Sequence, residues 1–214
     1  MKKTNVLVLA LLLVFVASCG VQMLPSRDSW YAKHYFIMKN YERETYKKLT
    51  DEGRQEFQQL FWQVRQPLAK EQFDERIAYI ERIYKSENRS QPWNTDRGRI
   101  YLLNGPPASI DYKQNTDWVM TIDTSTGQSG SLMTERNKED IQATTAEIWT
   151  YPYDKYFVYY VFTFAPPSTW KLSPSTYQNN PYLEGLETLN KDLIFGVVNE
   201  EEYKYKLSDL TQKK

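Results

Sequence analysis

Residues 92–107, PWNTDRGRIYLLNGPP, pass from turn-forming residues into a short apolar run and stop at a rigid corner. Asp96 can accept backbone N–H groups and close an Asx-turn, and Gly98 can take a positive φ after it. The apolar residues of 99–103 then predict a β-strand, which Gly105-Pro106-Pro107 ends. Arg97 and Arg99 are two apart, so an extended chain puts them on one face. Trp93 is placed to cover the turn, and Glu147, on a later strand, to pair with one of the arginines.

Upstream, the pattern is helical. Residues 29–49 lack Pro and Gly and bring Trp30, His34, Ile37 and Tyr41 near one face. Thr50 or Asp51 can cap the next helix, in which Phe57, Leu60, Phe61 and Val64 recur at helical spacing until Pro67. A third helix over 70–84 has Phe73, Ile77, Ile80 and Tyr84 on one side, a stripe that predicts packing against a sheet. Downstream, 109–113, 118–122 and 146–151 read as strands. Residues 157–164, nearly all aromatic or β-branched, predict a central strand. Residues 124–144 read as a mobile loop or insertion, and 168–192 as irregular. Residues 200–210 read as a small terminal helix. The expected class is α+β: N-terminal helices on a small, mainly antiparallel sheet drawn from 98–165, with an irregular C-terminal extension over 166–214.

The chain start predicts export. Lys2 and Lys3 precede an apolar run of 12 residues, 6–17. Spanning a bilayer takes about 20 such residues, so the run fits a signal peptide over 1–18. Val16-Ala17-Ser18-Cys19-Gly20 resembles a bacterial lipobox. That resemblance implies acylation of Cys19, cleavage before it and a lipid-anchored membrane protein of the cell envelope. The absence of Asp after the cysteine points to the outer membrane. Residues 19–28 would be the tether, short enough to hold the first helix near the bilayer.

The segment 92–107 resembles the signature of the GWxTD domain of bacterial envelope and secreted proteins, G-W-x-T-D-R-G-R-[IV]-Y followed by G-P-P. Phe61-Trp62 with Arg65 and Pro67, Phe73 with Arg76-Ile77-Ala78-Tyr79, and Glu147-Ile148-Trp149 with Tyr151 resemble its flanks. The resemblance covers about residues 45–165, within a domain expected over 29–165. Pro92 replaces the opening glycine and Gln66 an aspartate of the Phe-Trp segment, so the first turn is expected to differ. The family is of unknown activity, so the resemblance implies fold and location rather than a reaction.

Composition narrows the function. With 27 basic and 27 acidic residues there is no polycationic surface for nucleic acid, and losing Lys2 and Lys3 with the leader tips the balance to −2. Cys19 is the only cysteine and His34 the only histidine. This argues against a disulfide framework, a Cys/His metal site and Ser-His-Asp catalysis. No cofactor, metal or catalytic residue is predicted. Three readings of Trp93, Thr95, Asp96, Arg97, Gly98, Arg99 and Glu147 stay open. They form a folding signature, or a pocket in which arginine forks hold a carboxylate or phosphate beside Trp93, or a catalytic site with Asp96 and Glu147 as acid and base. The 17 tyrosines, 6 tryptophans and 9 phenylalanines suit a core, a protein interface or sugar stacking. The leading expectation is a non-enzymatic protein-interaction or assembly component with an envelope protein partner. The alternative is a cell-wall or glycan-binding module, and third an envelope hydrolase.

Overall fold

The computed structural model describes residues 28–113, 118–122, 129–133, 145–178 and 180–212. Cys19, the leader and the tether before Asp28 lie outside these residues. The fold is α+β.

Among the described residues, 28–35 belong to a unit separate from the rest of the chain. In it, helix α1 (Ser29–His34) starts at Asp28, whose carboxylate accepts from the Tyr31 N–H at 2.9 Å. His34 is buried, stacks on Trp30 at 3.9 Å between ring centroids, and bonds through Nδ1 to the Trp30 carbonyl at 2.7 Å. The single helix expected over 29–49 is thus two, the second being α2 (Asn40–Lys48). A side chain–backbone bond restarts it, with the Lys39 N–H donating to Glu42 Oε2 at 2.7 Å.

In the second unit, α3 (Asp51–Gln63) and α4 (Ala69–Ile83) follow the apolar stripes read from the sequence. Thr50 caps α3, its hydroxyl accepting from Gly53 N at 3.2 Å. A 3-10 turn (Pro92–Asn94) and α5 (Asp96–Asn104) come next. A four-stranded antiparallel sheet follows in the order β1 (Ser109–Lys113), β4 (Ala146–Tyr153), β5 (Tyr156–Ala165), β6 (Thr169–Leu172). β2 (Trp118–Ile122) and β3 (Ser129–Met133) make a separate antiparallel pair, so part of the stretch expected to be a loop is a strand. The rest of that stretch lies outside the described residues.

The two central strands are buried along most of their length, β5 as its nearly unbroken apolar sequence requires. Alternation puts Glu147, Trp149 and Tyr151 of β4 on one face with Val158, Tyr160 and Phe162 of β5. Helices meet that face through aromatic rings: Trp149 lies 6.2 Å from Tyr84 and 6.3 Å from Tyr101, and packs on Phe162 at 4.9 Å. α4 meets mainly α5 and the 3-10 turn rather than the sheet, because α5 lies on the side where a sheet was expected.

The C-terminal stretch is ordered, contrary to the irregular extension expected. It supplies β6, α6 (Ser175–Gln178), α7 (Leu183–Phe195) and α8 (Glu200–Gln212). β6 pairs only with residues 162–165 of β5. Beyond it, the Thr176 hydroxyl bonds both the N–H and the carbonyl of Val161 at 3.0 and 3.2 Å, and Asn180 Nδ2 donates to the Tyr159 carbonyl at 2.5 Å. Polar residues that read as loop composition thus satisfy buried strand backbone. A buried pair fastens the same region to the early helices. Arg65 reaches Glu42 at 2.7 and 3.0 Å, both side chains fully buried, and donates to the Phe195 carbonyl at 2.9 Å.

α7 is tied to the sheet by a partly buried network. Asn190 Nδ2 donates to Asn104 Oδ1, Asn104 Nδ2 to the Tyr160 hydroxyl, and that hydroxyl to Glu187, at 2.9, 3.1 and 3.0 Å. Burial is the main cause that lifts the Glu187 carboxyl above the usual carboxylate range, against the Tyr160 bond and Arg99, which lower it. A raised native pKa means full stability below the unfolded value of about 4.3, and a loss as pH climbs through the native value. Glu187→Gln keeps an acceptor for Tyr160 and removes the charge. It is expected to melt above the parent at pH 7, with the difference closing towards pH 4 in thermal unfolding by circular dichroism.

Candidate functional site

The signature forms a helix, not the expected strand, and its ends show why. Thr95 is the N-cap: its hydroxyl accepts from Gly98 N at 3.0 Å and donates to the Pro92 carbonyl at 2.8 Å. Asp96 stands in the first turn, where the helix dipole favours a carboxylate. At the other end Gly105 has φ +76°, and its N–H donates to the Tyr101 carbonyl at 2.8 Å. Arg76 of α4 completes that cap by donating from one nitrogen to the Leu102 and Leu103 carbonyls at 2.7 and 2.8 Å. The Tyr151 hydroxyl reaches the Gly105 carbonyl at 2.9 Å, so sheet and helix meet at this corner.

Two local readings change with the helix. Gly98 is helical and has no positive φ. Its lack of a side chain matters because a Cβ there would meet the Pro92 carbonyl oxygen at 2.3 Å and Thr95 Oγ1 at 2.9 Å. Asp96 does not close an Asx-turn; Thr95 does the local capping. Asp96 instead reaches across to β6, Oδ2 accepting from Leu172 N at 2.8 Å while Oδ1 pairs with Arg99. Pro92 fits the first position of the 3-10 turn, where a fixed φ is no handicap.

The arginines no longer share a face, because two residues turn an α-helix by about 200°. Arg97 points into the protein. Its Nε donates to Glu87 Oε1 at 2.8 Å, and its two terminal nitrogens lie 2.7 Å from Glu87 and 2.8 Å from Glu147. The guanidinium sits between the Tyr84 and Trp170 rings, 4.8 and 4.9 Å from their centroids. The remaining carboxylate oxygens are also engaged: Glu87 Oε2 accepts from Trp170 N at 3.1 Å, and Glu147 Oε1 from Trp149 Nε1 at 2.5 Å. Side-chain exposure is 13% for Arg97, 0% for Glu87 and 3% for Glu147. Burial is the largest of the influences that push the neighbouring Tyr84 hydroxyl well above its usual range. Arg99 is different: its side chain is 40% exposed, and it pairs with Asp96 one turn away.

Glu147 and Arg97 therefore pair as expected, and Thr95, Asp96 and Gly98 belong to the same corner. Trp93 lies beneath it rather than on a rim, at 6% exposure. Glu87 and Trp170 complete the cluster and were not singled out from the sequence. Glu87 sits in the polar stretch 85–91 and Trp170 in a stretch read as irregular, so neither carried a local signal. Chemically, the arrangement is a closed set of charge-assisted hydrogen bonds. Both Glu147 oxygens accept a hydrogen bond within the cluster, and the side chain is only 3% exposed. Among the described residues no group of three or more His, Cys, Asp or Glu side chains is placed to hold a metal ion.

Comparison with known protein families, with curated proteins and with solved structures finds no match for this chain.

Removing one partner of a buried ion pair typically costs about 3–5 kcal/mol, whereas an exposed pair is worth about 0–1 kcal/mol. Arg97→Ala, which strands two buried carboxylates, is thus expected to lose on the order of 3–5 kcal/mol in urea unfolding. Arg99→Ala should change stability by less than about 1 kcal/mol. Equal losses in the two variants would contradict the division of roles.

Proposed function

We propose that this protein is a lipid-anchored envelope component of the GWxTD kind, working by binding another protein rather than by catalysis. The anchor rests on the lipobox resemblance around Cys19. Among the described residues no helix is long and apolar enough to cross a membrane. The structural use of the signature supports a non-enzymatic role, since Arg97, Glu87 and Glu147 are buried and hydrogen-bonded to one another and to their neighbours.

The observation that carries the binding role is β1. All five of its residues are exposed, with Ile110 at 41% and Tyr112 at 64%, while β4 beside it is buried. Among the described residues no strand pairs with its outer edge. Such an edge offers backbone donors and acceptors to an added strand, and an aromatic and a β-branched side chain on one face for specificity. The partner of this reading is an envelope protein that presents an extended segment.

Two measurements test it. Cys19→Ser is expected to move the protein from the membrane to the soluble fraction. Persistence in washed membranes at high salt would refute the anchor. A photo-crosslinker placed at Tyr112 in intact cells should give one adduct of defined mass, absent from the same probe at Lys204 and lost in Ile110→Lys. No adduct, or equal labelling from both positions, would refute the edge-strand role.

A further inference from the structure

A cleft of about 590 Å³ opens between α4 and α5. Gln72, Glu75, Arg76, Tyr79 and Arg82 of α4 line it together with Tyr101 of α5. The Tyr79 and Tyr101 rings stack 4.3 Å apart, nearly parallel at 7°. The Arg82 guanidinium lies 5.7 Å from the centre of the Tyr79 ring. Arg76 is held in place by the two carbonyls at the end of α5, both reached from a single nitrogen.

The charges in this cleft are not balanced from within. The ion pairs among the described residues include neither Arg76 nor Arg82. Burial lowers Arg76 from its usual range, the effect expected of a guanidinium drawn out of water without a carboxylate beside it. Both arginines also act on the Tyr101 hydroxyl, opposing the rise that burial and Tyr79 impose on it. Both cations line the cleft together with the stacked Tyr79 and Tyr101 rings. Glu75 is the one carboxylate in the lining.

The geometry points to this cleft as a binding site for an acidic saccharide, a sugar ring carrying a carboxylate. The arginine forks match a carboxylate. The Gln72 amide and the Glu75 carboxylate at the rim suit hydroxyl groups, which donate as well as accept. A compact phosphate would meet the Glu75 charge and make no use of the tyrosine stack. A neutral sugar would leave both cations uncompensated. The volume lies in the range of small-molecule sites, about 300–1,000 Å³. The site is independent of both the lipid anchor and the β1 edge.

The test is a titration of the full chain in detergent with D-glucuronate, D-glucose or inorganic phosphate, followed by ligand-observed NMR and calorimetry. Saturable glucuronate binding is expected, at least about tenfold tighter than that of glucose or phosphate, a gap of about 1.4 kcal/mol. Arg82→Gln should weaken it by about tenfold or more, again about 1.4 kcal/mol. Arg82 is exposed and caps nothing, so this variant should melt with the parent. Tyr79→Leu, which removes the stacking ring, should weaken glucuronate as well. Absence of saturable binding, glucose or phosphate binding as tightly, or glucuronate binding indifferent to Arg82→Gln would each overturn the assignment.

Discussion

The Arg97 guanidinium, held between Glu87 and Glu147, is the interaction on which the arrangement of this protein depends. It joins four pieces of chain: the polar stretch after α4, helix α5, the central strand β4 and the edge strand β6. Taking three charged groups out of water is costly, and the cost is offset only when every donor and acceptor finds a partner. Here the aromatic planes of Tyr84 and Trp170 and the N–H groups of Trp149 and Trp170 complete the set. A register slip of one residue in β4 would turn Glu147 to the other face and strand the arginine, so the cluster specifies register as well as contact.

The same logic recurs at the far end of the second unit. Arg65 and Glu42 are buried together, and Arg65 also engages the carbonyls of Phe61 and Phe195 at 2.5 and 2.9 Å. Phe195 ends α7, and the adjoining chain pairs with the segment after α3 through Arg65 and Val197. With the Asn104–Tyr160–Glu187 network, these contacts make the last third of the chain part of the same body as the signature. The division of the chain at residue 165 therefore has no counterpart in the structure: β6 and the helices after it complete a sheet that begins in the expected domain.

What was misread in the sequence has identifiable causes. α5 looked like a strand because a short apolar run bounded by turn residues cannot be assigned by periodicity alone. Its helical marks were Thr95 as a cap, Asp96 after it and Gly105 at its end, but Thr95-Asp96 and Gly105-Pro106 serve a turn–strand–corner equally well. Residues 168–192 looked irregular because Thr176 and Asn180 have loop chemistry. In the fold that chemistry satisfies the open edge of β5. The helices α3 and α4 were legible because each keeps its apolar stripe over several turns. The strand β5 was legible because burial on both faces leaves a nearly unbroken apolar run, and β4 because it is mostly apolar and aromatic. The pairing of Glu147 with an arginine was legible too, whereas Glu87 and Trp170, from polar and Pro-rich stretches, were not.

The sequence by itself determined the local chemistry: the Thr50 cap, the amphipathic stripes, the central strands and the α+β class. These depend on neighbours a few residues apart, where spacing and side-chain type are sufficient. Only the tertiary structure decided whether 96–104 coils or extends, which way Arg97 and Arg99 face, and that Arg76 and Arg82 line one cleft with Tyr79 and Tyr101. Those outcomes depend on partners 10 to 130 residues away, from Glu87 and Arg97 to Arg65 and Phe195. A buried charge must find its counter-charge wherever packing brings one, and the local sequence carries no record of where that is.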